Sequence, residues 1–235
     1  PELIVELVES GQISEGRIDV SVRRILRDKF RLGLFDNPYV DEQLALNIAG
    51  NEAFVEKGKQ AQALSMVLLK NKNLLPLEEG IKVYVEGMND LSGMESYAEL
   101  VKNPSDADVI VTRIATPWQK REGGSMFESF FRGGRLYYSE EELGEILGLI
   151  EQKPTVVVAN LYRPTVLTEI SEQCGALMAD FDTSDEVLAD VLFGKRKAEG
   201  KLPFELPSSW EAVENQLEDL PYDSENPLYP FGFGL

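Results

Sequence analysis

The chain has 235 residues, with 41 acidic and 23 basic side chains and a formal net charge of -18. This charge argues against nucleic acid or an anionic membrane surface as a partner, because both attract basic patches. The absence of histidine excludes Ser-His-Asp and Cys-His catalysis and the common histidine-ligated zinc sites. Acid–base chemistry would therefore depend on carboxylates, tyrosine or lysine.

Three further features concern the whole chain. No apolar run approaches the ~20 residues that span a bilayer, and no signal peptide is visible. The chain begins with Pro1 rather than Met, so we expect a piece of a longer protein, with any targeting signal outside these residues. Cys174 has no second cysteine to pair with and is expected to be a small buried residue. These features leave the compartment open among cytoplasm, periplasm and secretion.

Residues 1–35 are predicted to be helical. Ile4, Leu7 and Val8 form an apolar stripe, which predicts a helix that ends near Gly11. Ser14 is placed to cap a second helix, whose basic face we interpret as solvated (Arg23, Arg24, Arg27, Lys29 and Arg31). Turn-forming residues at 36–39 indicate a domain boundary.

Residues 41–77 are interpreted as a connector. The pattern from 41 to 75 predicts a helical stretch that ends in the apolar run 64–69 and is followed by a polar break at 71–73. The Leu-Pro-Leu sequence at 75–77 is expected to lie on the next domain.

Residues 78–210 alternate between short apolar runs and amphipathic segments. The runs predict strands at 82–86, 108–114, 155–161 and 176–181. The amphipathic segments predict helices at 140–150 with Ser139 as N-cap, at 166–171, and at 185–193 with Thr183 or Ser184 as N-cap. This order predicts an α/β fold with a mostly parallel sheet sandwiched by helices. Ligands of such sheets bind beyond the carboxyl ends of the strands. Residues 211–235 are expected to form an ordered tail on the surface.

The longest stretch that fits no element is 116–138. It follows a predicted strand and combines glycines and charges with five aromatic residues from Trp118 to Tyr137. Loops of this length are either functional or disordered, and the aromatic content favours function. The glycine pairs at 123–124 and 133–134 lack the spacing of a nucleotide-binding motif.

Several segments resemble, in order, the C-terminal part of glycoside hydrolase family 3 enzymes of the β-glucosidase and β-xylosidase group. The resemblance spans the whole chain and rests on these blocks: Gly33-Leu34-Phe35-Asp36-Asn37-Pro38-Tyr39, Ser65-Met66-Val67-Leu68-Leu69-Lys70-Asn71, Asp190-Val191-Leu192-Phe193-Gly194, Gly200-Lys201-Leu202-Pro203-Phe204, and Tyr229-Pro230-Phe231-Gly232-Phe233-Gly234-Leu235. One departure is Phe233, which stands where the family usually has a histidine.

The resemblance implies a (β/α)8 barrel followed by an α/β sandwich domain. Residues 1–40 would be the helical end of the barrel and its exit, 41–77 the connector, 78–210 the sandwich domain and 211–235 the tail. It also implies a retaining β-glycosidase that needs no cofactor and uses two carboxyl groups about 5–5.5 Å apart. The nucleophilic Asp would lie on the barrel outside this chain. The Ser184-Asp185 pair resembles the nucleophile motif only superficially, since it opens a predicted helix.

In the family, the acid/base Glu comes from a loop of the second domain, and the matching loop here is 116–135. Its candidates are Glu128 and Glu122. We favour Glu128, because Phe127-Glu128 followed by Phe130-Phe131 and Gly133 resembles the pattern in close relatives. The flanking Phe residues would also exclude water and raise the carboxyl pKa, as a general acid requires. Arg121 would instead keep Glu122 ionised. The alternative is that both are solvated loop charges.

The same loop offers three candidate substrate-binding residues. Trp118 is placed either to stack on a pyranose ring or to anchor the loop, and Arg121 and Arg132 either bind sugar hydroxyls or are ordinary surface arginines. The expected partners are the N-terminal barrel of the same enzyme and a β-glucoside or oligosaccharide. We expect the chain alone to be inactive. The competing hypothesis is a non-catalytic carbohydrate-binding or interaction module.

Overall fold

The computed structural model describes residues 2–119 and 133–235. The chain divides into two compact units, one that ends at Val55 and one from Glu56 to Leu235. The domain limits expected at residues 40, 77 and 210 stay predictions.

The first unit consists of helices that bury none of their own residues. They are α1 (Glu2–Glu9), α2 (Glu15–Arg31) and α3 (Glu42–Ile48), and α4 (Glu52–Ser65) begins in this unit. Ser14 caps α2 as predicted, because its side chain accepts a hydrogen bond from the Arg17 backbone N–H. No other described residues of this unit cover the apolar faces of α1 and α2. Large apolar side chains such as Ile25 and Phe30 are therefore exposed.

The second unit contains a six-stranded sheet with strand order β1-β6-β5-β4-β2-β3. The strands are β1 (Val67–Asn71), β2 (Lys82–Glu86), β3 (Glu99–Leu100), β4 (Val109–Ala115), β5 (Thr155–Asn160) and β6 (Ala176–Asp180). All neighbouring pairs are parallel except β1 with β6. The helices are α5 (Ser92–Glu95), α6 (Glu140–Ile150), α7 (Thr168–Gln173), α8 (Asp185–Leu192) and α9 (Trp210–Glu214).

The predicted fold class is confirmed, and the four predicted strands form within one residue of their expected limits. Ser139 caps α6 in a capping box with Glu142, which satisfies free backbone N–H groups at the start of the helix. Ser184, rather than Thr183, caps α8. The helix expected at 166–171 begins two residues later, at Thr168.

The expectation of one helical stretch from 41 to 75 was wrong. The stretch contains two helices, and residues 67–71 form the edge strand β1, in which Val67 pairs with Ala179 of β6. A short continuous apolar run has no periodicity that separates strand from helix, so the pairing with β6 decides its conformation. Val67 and Leu69 are buried on one side of the sheet. The two-residue strand β3 was also not predicted.

Apolar side chains cover both faces of the sheet. Val156 and Val158 of β5 belong to a core cluster with residues of α8, whereas Val157 and Ala159 belong to a second cluster with residues of α7. This alternation follows from the two-residue period of a strand. It explains why the central strands are apolar throughout, as in other parallel sheets.

The C-terminal tail is ordered, as expected, but it contributes to the core as well as to the surface. Leu206 and Tyr229 form an isolated bridge, and the Tyr229 hydroxyl lies 2.7 Å from the Ser171 hydroxyl in a buried hydrogen bond. The last backbone N–H, from Leu235, donates to the carbonyl of Leu68 at 2.9 Å. The tail therefore secures the edge strand β1.

We predict that Gly87→Ala destabilises the protein by about 2–5 kcal/mol. Gly87 follows β2 with a φ of 78°, and an added Cβ would lie 2.0 Å from the Arg113 carbonyl oxygen. The matched control is Gly144→Ala in α6, where an added Cβ meets nothing within 4 Å, so it should stabilise by about 0.5–1 kcal/mol. Urea denaturation measures both free energies of unfolding, and equal effects would contradict the packing described here.

Candidate functional site

An open cleft of about 400 Å³ lies at the carboxyl ends of β4, β5 and β6. Its lining comes from the carboxyl ends of β4 and β5 and from the segments that follow β2, β5 and β6 (Gly87, Asn89, Arg113, Ile114, Ala115, Asn160, Tyr162, Asp182, Thr183, Ser184 and Asp185). This is the edge at which open α/β sheets bind ligands. A polar cleft therefore lies at the edge of the sheet where the strand order predicts a ligand site.

Arg113 of β4 links two carboxylates beside this cleft. Its side chain is only 13% exposed, and its guanidinium lies 2.8 Å from Asp180 Oδ2 and 2.7 Å from Asp185 Oδ1. It also donates to the Thr183 carbonyl at 2.8 Å. Burial raises the pKa of the Asp180 carboxyl above its usual value, although Arg113 and the hydrogen bonds from Asn160 and the Asp182 backbone oppose this shift. The ion pairs join the ends of β4 and β6 to the start of α8.

Asn160 continues the network from the end of β5. Its amide donates to Asp180 Oδ1 at 2.8 Å and to Asp182 Oδ1 at 3.0 Å, and the Tyr162 hydroxyl also bonds to the Asp182 carboxylate. The buried Asn160 Oδ1 and Thr183 Oγ1 have no hydrogen-bond partner among the described residues. Both residues line the cleft, but these two oxygen atoms are themselves shielded from solvent.

Asp185 connects the cleft to the segment after β2. Its Oδ2 accepts hydrogen bonds from the backbone N–H groups of Asn89 and Asp90, each at 2.9 Å. As the first residue of α8, it also lies where a negative charge is favourable. These contacts agree with the interpretation of the Ser184-Asp185 pair as the start of a helix.

The loop 116–135 leaves the sheet at the same edge, directly after β4. Its described ends, 116–119 and 133–136, form what we call the loop neck. The Gln119 N–H donates to the Gly133 carbonyl at 2.9 Å, and the Val166 N–H donates to the Leu136 carbonyl at 2.9 Å. The Thr116 hydroxyl donates to the Asn160 carbonyl at 2.8 Å. The outgoing and returning chain are therefore held together beside the cleft.

Of the predicted site residues, Trp118 lies in the loop neck with 44% of its surface exposed. Glu122, Glu128, Arg121 and Arg132 lie outside the described residues, and their roles stay predictions. The structure describes the base of the loop but not the positions of its carboxyl groups.

Arg113, Asn160 and Asp180 were not among the residues predicted from the sequence. A signal was present, because each is a polar residue in or at the end of an otherwise apolar predicted strand. Arg163, which bonds to backbone carbonyls of the loop neck, was also missed. It follows β5 in a turn before Pro164, where the sequence gives no sign of its distant partners.

Within residues 2–119 and 133–235, no three His, Cys, Asp or Glu side chains are grouped so that they could hold a metal ion. None of the helices described there has the length and apolar character needed to cross a membrane.

Several known proteins have sequences similar to this chain over its whole length. The chain is 45% identical over 240 residues to a probable β-glucosidase C of Aspergillus flavus, covering 100% of this chain and 37% of the relative. It is 40% identical over 235 residues to a periplasmic β-glucosidase/β-xylosidase of Dickeya chrysanthemi, covering 99% of this chain and 36% of the relative. The chain thus spans little more than a third of the length of these relatives.

Solved structures show the same fold. A β-glucosidase from Listeria innocua in complex with glucose aligns with a TM-score of 0.68 at 23% identity, covering 99% of this chain and 40% of that one. β-Glucosidase 3B from Thermotoga neapolitana in complex with α-D-glucose aligns with a TM-score of 0.71 at 20% identity, covering 100% and 44%.

The family assignment rests on the second unit. Residues 91–235 match the model of the glycosyl hydrolase family 3 C-terminal domain, and this range contains β3 to β6, the loop neck and all of the cleft lining except Gly87 and Asn89. The chain therefore belongs to glycoside hydrolase family 3, and residues 91–235 match its C-terminal domain.

Proposed function

We propose that the chain is part of a retaining β-glycosidase that hydrolyses terminal β-glucosides, and that it supplies the acid/base carboxyl group. The observation that carries the proposal is the loop neck. It places the start and the end of the loop 116–135 at the carboxyl edge of the sheet, beside the cleft. The names of the relatives, which are β-glucosidases or mixed β-glucosidase/β-xylosidases, support a β-glucoside as the substrate.

The proposed reaction divides two carboxyl groups between two parts of the protein. An Asp on the barrel attacks the anomeric carbon while Glu128 protonates the departing glycosidic oxygen. This step forms a covalent glycosyl-enzyme. Glu128, now a carboxylate, then removes a proton from the water that releases the sugar.

The sequence around Glu128 favours it over Glu122. Phe127, Phe130 and Phe131 are close in sequence, and apolar neighbours raise a carboxyl pKa so that the group is protonated near neutral pH. Glu122 follows Arg121, whose charge favours the ionised form. In the same proposal, Trp118 offers an aromatic face to the sugar ring, and Arg121 and Arg132 bind its hydroxyl groups.

The first unit supports the barrel as the partner. It exposes many large apolar side chains, including Ile4, Ile25 and Phe30 of its helices and Phe35 just after α2. Apolar surface of this extent is characteristic of an interface rather than of a solvated face. We propose that the barrel portion of the same enzyme covers it, and that the chain alone has no hydrolytic activity.

A second candidate function is a non-catalytic carbohydrate-binding module. It is favoured by the cleft, which is lined by polar side chains such as Asn89, Asn160 and Asp182 and lies within the second unit alone. Binding of a glucoside to the isolated chain, together with an inactive complete protein, would select this alternative.

We predict that Glu128→Gln in the complete enzyme lowers kcat/KM for a β-linked disaccharide by about 10²–10⁴-fold, because a general acid contributes roughly that factor. The loss should be much smaller with a dinitrophenyl β-glucoside, whose leaving group needs no proton. Azide should accelerate the variant by replacing the water whose activation requires the base.

The control is Glu122→Gln, which makes the same chemical change in the same loop and should be the milder variant. Steady-state rates on both substrates decide the assignment. Near-normal disaccharide hydrolysis by Glu128→Gln would exclude Glu128, and a larger loss in Glu122→Gln would exchange the two roles.

We also predict that this chain and a separately produced barrel portion regain activity only when mixed. Each piece alone should leave a nitrophenyl β-glucoside intact, because each holds one of the two carboxyl groups. The mixture should hydrolyse it, whereas a mixture made with the Glu128→Gln chain should show azide-dependent activity. An inactive mixture of folded, associated pieces would refute the division of the site.

A further inference from the structure

We infer that Arg163 is a positioning residue that closes the loop neck and so sets the direction in which the loop carries its carboxyl group. This inference rests on the proposed function, because it assigns a task to a residue outside the loop that supplies the acid. Arg163 itself need not touch the substrate.

The guanidinium of Arg163 spans the outgoing and returning chain. Its Nη2 donates to the carbonyls of Pro117 at 2.8 Å, Arg135 at 3.0 Å and Gly133 at 3.3 Å. Its Nη1 donates to the carbonyl of Gly134 at 3.1 Å. One side chain therefore holds four backbone carbonyls, one before residues 120–132 and three after them.

Only arginine suits this task. Its planar guanidinium presents donors in a fixed fork, whereas a lysine ammonium is a point charge with three donors. Among the described residues, Arg163 forms no ion pair with a carboxylate, so backbone carbonyls supply its bonded partners. Burial lowers the pKa of Arg163 below its usual value, which agrees with a guanidinium enclosed by the neck rather than one held by surface charges.

Arg163 is itself fixed to the sheet. It lies three residues after β5 and before Pro164, whose ring restricts the backbone. Its carbonyl accepts hydrogen bonds from the hydroxyls of Thr165 at 3.2 Å and Thr116 at 3.5 Å. The guanidinium thus connects the loop to β5, in addition to the covalent connection to β4.

The chemical consequence concerns the acid step. Residues 120–132 are covalently continuous with the neck at both ends, so the proposal is that the geometry of the neck affects the position of a carboxyl group in this segment. A displacement of about 1 Å in a catalytic group can cost roughly 10²-fold in rate. Loss of Arg163 should therefore slow proton transfer more than it weakens sugar binding.

The test uses the complete enzyme with Arg163→Ala and Arg163→Lys. Both variants should lose about 10–100-fold in kcat for a β-linked disaccharide, with KM changed less than about threefold. With a dinitrophenyl β-glucoside, kcat/KM should change little, because the first step needs no proton. Millimolar guanidinium or methylguanidinium should partly restore Arg163→Ala, since it replaces the missing donors.

The matched control is Arg196→Ala. Arg196 also makes several charged bonds, to Asp190 at 2.8 Å and to Glu56 at 2.8 and 3.0 Å, but it follows α8 and so lies toward the amino edge of the sheet. Its loss should lower Tm without any dependence on the leaving group. If Arg163→Ala behaves like Arg196→Ala, Arg163 is only a structural residue and the inference is wrong.

Hydrogen exchange gives a readout that does not depend on catalysis. In Arg163→Lys, exchange at the Gln119 N–H, which bonds to Gly133, should accelerate about tenfold or more, while amides of β5 stay protected. Unchanged exchange at Gln119 would overturn the inference even if activity falls. If Glu128→Gln depends on the leaving group but Arg163→Ala does not, the proposed function stands without this role. If neither Glu128→Gln nor Glu122→Gln depends on the leaving group, the proposed function itself fails.

Discussion

The buried ion pairs of Arg113 with Asp180 and Asp185 hold together the edge of the sheet on which the proposed site depends. Removal of one partner from such a pair typically costs about 3–5 kcal/mol, because the remaining charge is left buried and unpaired. Asp180 is fully buried, so its charge has little access to water. The same edge carries Asn160, whose carbonyl receives the Thr116 hydroxyl at the first residue of the loop neck. The ion pairs, the cleft and the neck therefore form one connected structure.

That connection is the basis of the proposed role in catalysis. The chain leaves β4 at Thr116, returns at Gly133, and is bonded there to the segment after β5. In the proposal, a carboxyl group carried by this loop faces residues in another part of the protein. The exposed apolar side chains of the helices up to Val55 are the complementary feature, because we propose that the barrel covers them.

The fold could be predicted from the sequence where the local pattern was decisive. The β-branched runs of β4 and β5 and the caps Ser139 and Ser184 gave correct elements, because propensity and burial favour the same conformation there. The edge strand β1 could not be predicted, since its short apolar run adopts an extended form only by pairing with β6. The loop could be identified by its length and composition. Arg163 could not, because its partners are backbone carbonyls 28 to 46 residues away, and carbonyls carry no sequence signature.

The central claim is that a carboxyl group of the loop 116–135 is the acid/base of a site shared with the barrel. The most direct measurement is affinity labelling of the complete enzyme with N-bromoacetyl-β-glucosylamine, whose reactive carbon lies where the glycosidic oxygen would leave. The labelled residue is identified by peptide mass spectrometry, with excess glucose as a protecting ligand. We predict that Glu128 is alkylated and that glucose protects it from alkylation. Protected labelling only at residues outside 116–135 would contradict it.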